Sequence, residues 1–232
     1  MDKQRRIERV VGSLFILATV SSSLGFILLE PVLDDTDPLG SVASNETQVI
    51  LGAFLLLINA AAVVAIPALL FPTFRQHNPH LARLYPGSRI VEAVVLVVGV
   101  VGLLSLVTLS RDYTPTGPDA ASYQTSATAL LAVYDWGALL GIMFFFSLAG
   151  LLLNYLLYRA RLVPRWLAVW GLIGVALLLI QGLSETFEAD NLEIMSLPFA
   201  IQEMVFALWL IVKGFAPTAS PATTSSEQLE PT

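Results

Sequence analysis

The chain has 232 residues, 56% of them hydrophobic and only 13% charged, with a mean hydropathy of +0.74. A soluble globular domain carries about 25% charged residues, so a soluble domain, a nucleic-acid binder and a disordered chain are excluded. The net charge of −6 says little when charges are segregated, and the absence of cysteine excludes disulfides, thiolate metal sites and thiol catalysis.

In chain order, uncharged runs occupy Val10–Leu29, Thr47–Phe74, Ala93–Ser110, Trp136–Tyr158 and Trp166–Ser184, and Ile194–Val212 is interrupted only by Glu203. A helix crossing the hydrocarbon core needs ~20 apolar residues, and a backbone in lipid must satisfy its hydrogen bonds within the segment. The predicted fold is therefore all-α: a polytopic membrane protein with six transmembrane helices in a bundle. The helices are expected at about 8–29, 47–74, 89–110, 130–158, 165–184 and 194–213, in one domain over 1–215. Basic residues precede the first run as in a secretory signal, but its apolar stretch continues to Leu29 without a small-residue cleavage pattern, which predicts an uncleaved helix. Residues 120–134 are expected either to extend the fourth helix beyond the membrane or to lie along the outer surface. The Pro/Ser/Thr-rich segment 216–232 reads as a disordered cytoplasmic tail.

Orientation follows from the basic residues. Lys3, Arg5, Arg6, Arg9, Arg75, Arg83, Arg89, Arg159, Arg161, Arg165 and Lys213 fall on one side of the six crossings, and only Arg111 falls on the other. Both termini are predicted to be cytoplasmic. Eleven of the eighteen acidic residues, among them Glu30, Asp34, Asp35, Asp37, Glu185, Glu188, Asp190 and Glu193, lie on the outer side. They read as a solvated rim or, more sharply, as a funnel that concentrates cations.

Glu203 lies ten residues from both Glu193 and Lys213, which places it at the bilayer centre. A charge there costs about 2.5–3.5 kcal/mol on insertion scales, so an intramembrane carboxylate is a functional candidate by default. Ala200 and Ala207 share its face and let another helix approach, while Pro198 is predicted to kink the helix just outside it. Gln202, Thr19, Asn59 and Ser147 fall at similar depth. By the same count no Arg, Lys or His lies at the midplane, so Glu203 is expected to lack a cationic partner. It is then either a protonated group hydrogen-bonding neighbouring helices, with Asn59 a candidate partner, or the ligand of a proton or cation.

Arg89 and Glu92, three residues apart, are expected to form an ion pair at the inner interface. Arg159, Arg161 and Arg165 crowd one tight turn, where they set topology or bind the phosphates of lipid headgroups or a soluble anion. Asp135 beside Trp136 reads as an interfacial acid. His77 and His80 lack nearby cysteines or carboxylates, so no metal site is expected. No transmembrane His supports haem, no Gly-x-Ser-x-Gly elbow supports a hydrolase, and no phosphate-binding Gly-rich loop is present, so no cofactor is expected.

The stretch Leu156–Leu172 resembles the LLYRSRLVPRWLSVWGL signature of a bacterial integral-membrane family, the domain of unknown function 4386 family. Further matching stretches are Gly52-Ala53 through Asn59-Ala60, Leu70-Phe71-Pro72, Arg89 to Glu92, Asp135-Trp136 and Leu197-Pro198 through Gln202-Glu203 to Phe215. The resemblance spans about Arg5 to Phe215 and implies a bacterial plasma membrane protein with several helices. It implies no reaction, substrate or catalytic residue. From the residues themselves, the expected function is transport or sensing of a small polar solute, proton or cation through a polar midplane site around Glu203. The alternative is a non-catalytic module binding membrane lipids or a partner through the inner arginines, with an enzyme on a lipid-soluble substrate third. The protein is expected to be a monomer or a homo-oligomer.

Overall fold

The computed structural model of the protein describes residues 3–187 and 193–216. Glu188, Asp190 and the tail from 217 onward, which carried sequence expectations, lie outside the described residues, as does the side chain of Glu193. The described residues contain no strand. The helices are α1 (Lys3–Leu33), α2 (Pro38–Ser44), α3 (Glu46–Arg75), α4 (Pro79–Arg111), α5 (Ala120–Ala138), α6 (Phe146–Ala160), α7 (Arg165–Thr186) and α8 (Leu197–Val212). A π-helical segment, Leu139–Phe145, joins α5 to α6, so that Ala120–Ala160 runs as one 41-residue helix. Residues 120–134 belong to its first part and pack against α4.

Six helical segments are long and apolar enough to cross a membrane: α1, α3, α4, the joined α5–α6, α7 and α8 with the turn before it. Their outward faces carry Ile27, Phe54, Val98, Val101, Ile173 and Leu208, side chains that lipid solvates and water does not. The protein is a multi-pass membrane protein built as a helical bundle.

Local chemistry sets the helix ends. The Asn78 side chain accepts from the backbone N–H groups of His80 and Leu81, both at 3.1 Å, and Pro79 occupies the first position of α4, where its missing N–H costs nothing. Arg161 ends α6 in the left-handed region (φ 53°). Pro198 does not kink a helix: a 3₁₀ turn, Glu193–Ser196, precedes α8, and Pro198 sits in the first turn of α8, where no intrahelical partner for its nitrogen is needed.

Two glycine contacts bring backbones together. A Cβ on Gly137 would lie 3.0 Å from the Gly99 Cα, so α5 crosses α4 backbone to backbone. A Cβ on Gly174 would lie 2.9 Å from the Phe199 Cα, which seats α7 on the start of α8.

The core is divided unequally. At the basic end, residues from α1, α3, α4, α6, α7 and α8 merge in one cluster containing Phe15, Phe74, Tyr85, Leu153, Leu167 and Phe206. At the acidic end, α1 to α5 form a cluster around Leu29, Leu39, Val49 and Leu103, while α7 and α8 contribute to a separate small cluster of Val175, Leu178 and Phe199. The two clusters do not meet. The space between them opens the interior.

Candidate functional site

Glu203 is placed by the seam between α1 and α8. Gly12 abuts Ala207, Phe15 meets Phe206 edge-on at 5.4 Å, and Arg5 donates to the carbonyls of Leu210 (2.7 Å) and Ile211 (2.8 Å). This antiparallel register brings Thr19 opposite Glu203, and its hydroxyl donates to the carboxylate at 3.2 Å.

Where the clusters part, a cavity of about 870 Å³ runs from the acidic end to Glu203. Five carboxylates line it: Glu30, Asp34, Asp135, Glu185 and Glu203. Its described lining includes no Lys, Arg or His. The rest of the wall is largely apolar and aromatic, with Phe26, Tyr134, Trp136, Phe146 and Phe199. Asp135 thus belongs to this wall. The π-helical segment contributes Leu139, Ile142 and Met143; such segments widen a helix locally and recur at functional sites. Arg111, the one basic residue on this side, is bound to Glu46 at 2.5 Å and does not line the cavity.

Beyond Glu203 lies a smaller chamber of about 230 Å³. Thr19, Ser22, Phe26, Ile142, Phe146 and Glu203 border both spaces. The inner chamber adds Ser23, Asn59, Arg89 and Glu92. Arg89 is only 2% exposed, and its Nη1 donates to both Glu92 oxygens at 3.1 Å. The guanidinium sits 4.8 Å from the Phe146 ring centroid and 5.8 Å from that of Tyr85. It lines the same chamber as Glu203. Arg89 enters from near the basic end, but its ion pair is with Glu92, and among the described residues Glu203 forms none. Asn59, 8% exposed, faces this chamber without a hydrogen-bond partner; the expected Asn59–Glu203 bond is replaced by the bond from Thr19.

The other candidates lie elsewhere. Gln202 turns away from Glu203, and its amide donates to Asn154 Oδ1 and the Leu167 carbonyl, both at 3.3 Å. Ser147 is fully buried, borders neither space, and its hydroxyl has no partner. Arg159, Arg161 and Arg165 are exposed at the basic end, with Arg159 over Tyr155 (5.9 Å) and Arg165 over Tyr158 (5.5 Å). His77 Nδ1 contacts the Thr73 carbonyl at 3.0 Å. Sequence reading missed Tyr85, Phe146 and Asn154. It also missed Glu8, which is buried and bound to Arg5 at 3.1 Å. The Arg5–Glu8 spacing, the same as that of Arg89 and Glu92, was the available signal.

The chain belongs to the family described as a domain of unknown function (DUF4386), whose profile matches residues 10–214. No curated protein and no solved structure matches it.

Proposed function

We propose that the protein draws a small cationic solute from its acidic end into the bundle, for transport or for sensing, with Glu203 as the innermost charged contact. The observation that carries this reading is the lining of the large cavity: five carboxylates and no cationic side chain among the described residues. In a low-dielectric cleft, like charges focus the field and raise the local concentration of the opposite charge. The volume falls within the range of small-molecule sites, and aromatic walls attract cations that carry little hydration. Together these features favour an organic cation with an apolar body over a hydrated inorganic one. Tetraphenylphosphonium is a suitable probe. It should bind the purified protein in lipid nanodiscs saturably, while triphenylphosphine oxide, of similar shape but uncharged, should not. Affinity should fall at least tenfold in Glu203→Gln and in Asp34→Asn/Asp135→Asn. Equal binding by both variants and the native chain would refute the reading.

The setting belongs to the same proposal: a bacterial plasma membrane, both termini cytoplasmic and the acidic end outside. The one-sided distribution of Lys and Arg supports it. Because the chain has no cysteine, single cysteines report topology cleanly. Thr116→Cys should react with an impermeant maleimide on intact cells, and Gln76→Cys only after permeabilisation.

A second reading has its own support. Arg159, Arg161 and Arg165 stand exposed around one turn, with Trp166 stacked on Trp170 at 6.3 Å. Arginine binds phosphate bidentately and Trp favours the headgroup level, so anionic phospholipid fits this turn. Loss of bound lipid from Arg161→Ala/Arg165→Ala in native mass spectrometry would support it.

A further inference from the structure

The inner chamber has a charge imbalance that the organic-cation reading does not use. It contains three ionisable groups: Arg89, Glu92 and Glu203. Glu92 takes both of its hydrogen bonds from Arg89, so the guanidinium is already matched on its own helix. Glu203, when ionised, is left as one surplus negative charge deep in the bundle. Beside it are neutral oxygens without other duties. The Asn59 amide faces the space without a partner although the residue is 92% buried, and the Thr19 hydroxyl already touches the Glu203 carboxylate at 3.2 Å. Ser22 gives its proton to the Thr19 carbonyl at 3.1 Å, which leaves its oxygen lone pairs free. No three carboxylate, imidazole or thiolate groups gather among the described residues, so the donor set does not suit a divalent transition metal. One carboxylate with hydroxyl and amide oxygens is a hard-oxygen set, and its net charge of minus one matches a monovalent ion. The nearby guanidinium penalises any second positive charge. The chamber is also too small for a cation as bulky as tetraphenylphosphonium, yet has room for an ion and a few waters.

We propose that the inner chamber is a sodium-sized monovalent cation site, formed by Glu203, Thr19 and Asn59. Glu203 borders both spaces, so it answers to one cation at a time. An ion in the inner chamber and an organic cation in the large cavity then compete for the same carboxylate, which is the arrangement an exchanger needs. This competition rests on the organic-cation reading above; the ion site itself does not.

The test uses the full chain in nanodiscs, with its unfolding temperature followed as sodium chloride replaces N-methyl-D-glucamine chloride at constant ionic strength. A ligand that binds only the folded state raises stability with concentration as RT ln(1 + [L]/Kd), so a saturable rise with sodium is expected. The rise should vanish in Glu203→Gln. In Thr19→Val and Asn59→Leu the half-saturating sodium concentration should increase at least tenfold, and these two variants decide the matter if Glu203→Gln does not fold. Sodium at ten times its Kd should weaken tetraphenylphosphonium binding about tenfold. Identical unfolding temperatures in the two salts, or a sodium response that survives in all three variants, would overturn the ion site. Phosphonium binding without any sodium effect rejects this site and leaves the organic-cation reading standing. Sodium stabilisation without phosphonium binding does the reverse.

Discussion

Gln202 and Glu203 are consecutive residues on α8, and their surroundings are opposites. Gln202 is buried against α6 and α7: its amide meets Asn154 and the Leu167 carbonyl, Asn154 Nδ2 in turn donates to the Gly150 carbonyl at 2.9 Å, and Asn154 presses on Gly171. This cluster is closed, and neither Gln202 nor Asn154 lines either of the two spaces. Glu203 faces two connected spaces, has one hydrogen bond from Thr19, and lies near an amide with no partner. Polar groups in a bundle interior serve packing when they satisfy one another and leave no room. When they are left partly satisfied around a void, they offer hydrogen bonds to something that is not part of the chain. The difference between these neighbours therefore carries more functional information than the polarity of either.

Mutations can break or sharpen that contrast. The largest effect is expected at Arg89, which lines the chamber and is held by Glu92 through Nη1 while its buried Nε has no partner. Arg89→Met strands Glu92 as a buried unpaired charge and should cost about 3–5 kcal/mol, whereas Arg89→Met/Glu92→Met should recover most of the loss. Reversible unfolding in mixed micelles measures both. If the single substitution proves nearly neutral, the pair does not stabilise the bundle and the charge count of the chamber must be redrawn. Next comes Asn154→Ala. It leaves the Gln202 amide with one acceptor and opens a space beside Gly171, so stability should fall by about 1–3 kcal/mol with phosphonium binding unchanged. A loss of binding as well would mean that the closed cluster controls the orientation of α8. Glu203→Gln should have the reverse signature. Its amide oxygen still accepts from Thr19, so stability should change by less than about 1 kcal/mol, while cation binding falls.

Part of this was readable in the residues alone. Six long apolar runs in water-incompatible proportions leave one architecture, and the isolation of Glu203 between Glu193 and Lys213 marks it as an interior acid. The Arg89–Glu92 pair follows from a spacing of three on a helix. What could not be read depends on side-chain reach and helix rotation. Counting residues locates a Cα, but an arginine carries its charge several bonds away from it, and Arg89 uses that length to line the chamber that Glu203 borders. Consecutive residues on a helix point about 100° apart, so placing Gln202 and Glu203 in one polar layer by depth alone was bound to fail for one of them. The cavity itself has no local signature. It arises because the cluster around Leu29 and Leu103 and the cluster around Val175 and Phe199 separate at the acidic end, a property of how α1 to α5 pack relative to α7 and α8.

The smallest expected effect lies away from both clusters, at the turn that ends α6. Arg161 adopts φ 53°, a conformation that costs an L-residue roughly 1–2 kcal/mol relative to its right-handed alternative and that glycine adopts without a Cβ clash. The side chain is exposed, and the Leu162 N–H bonds back to the Leu157 carbonyl at 3.3 Å whatever residue occupies position 161. Arg161→Gly should therefore raise stability, by at most about 1 kcal/mol once the greater freedom of glycine in the unfolded chain is counted. The native arginine would then be held at a conformational cost at a position where packing does not require it. That outcome, combined with reduced retention of anionic lipid by the same variant, would assign Arg161 to the headgroup surface. A destabilised Arg161→Gly would instead show that the arginine secures the turn, and lipid binding at this end would have to rest on Arg159 and Arg165.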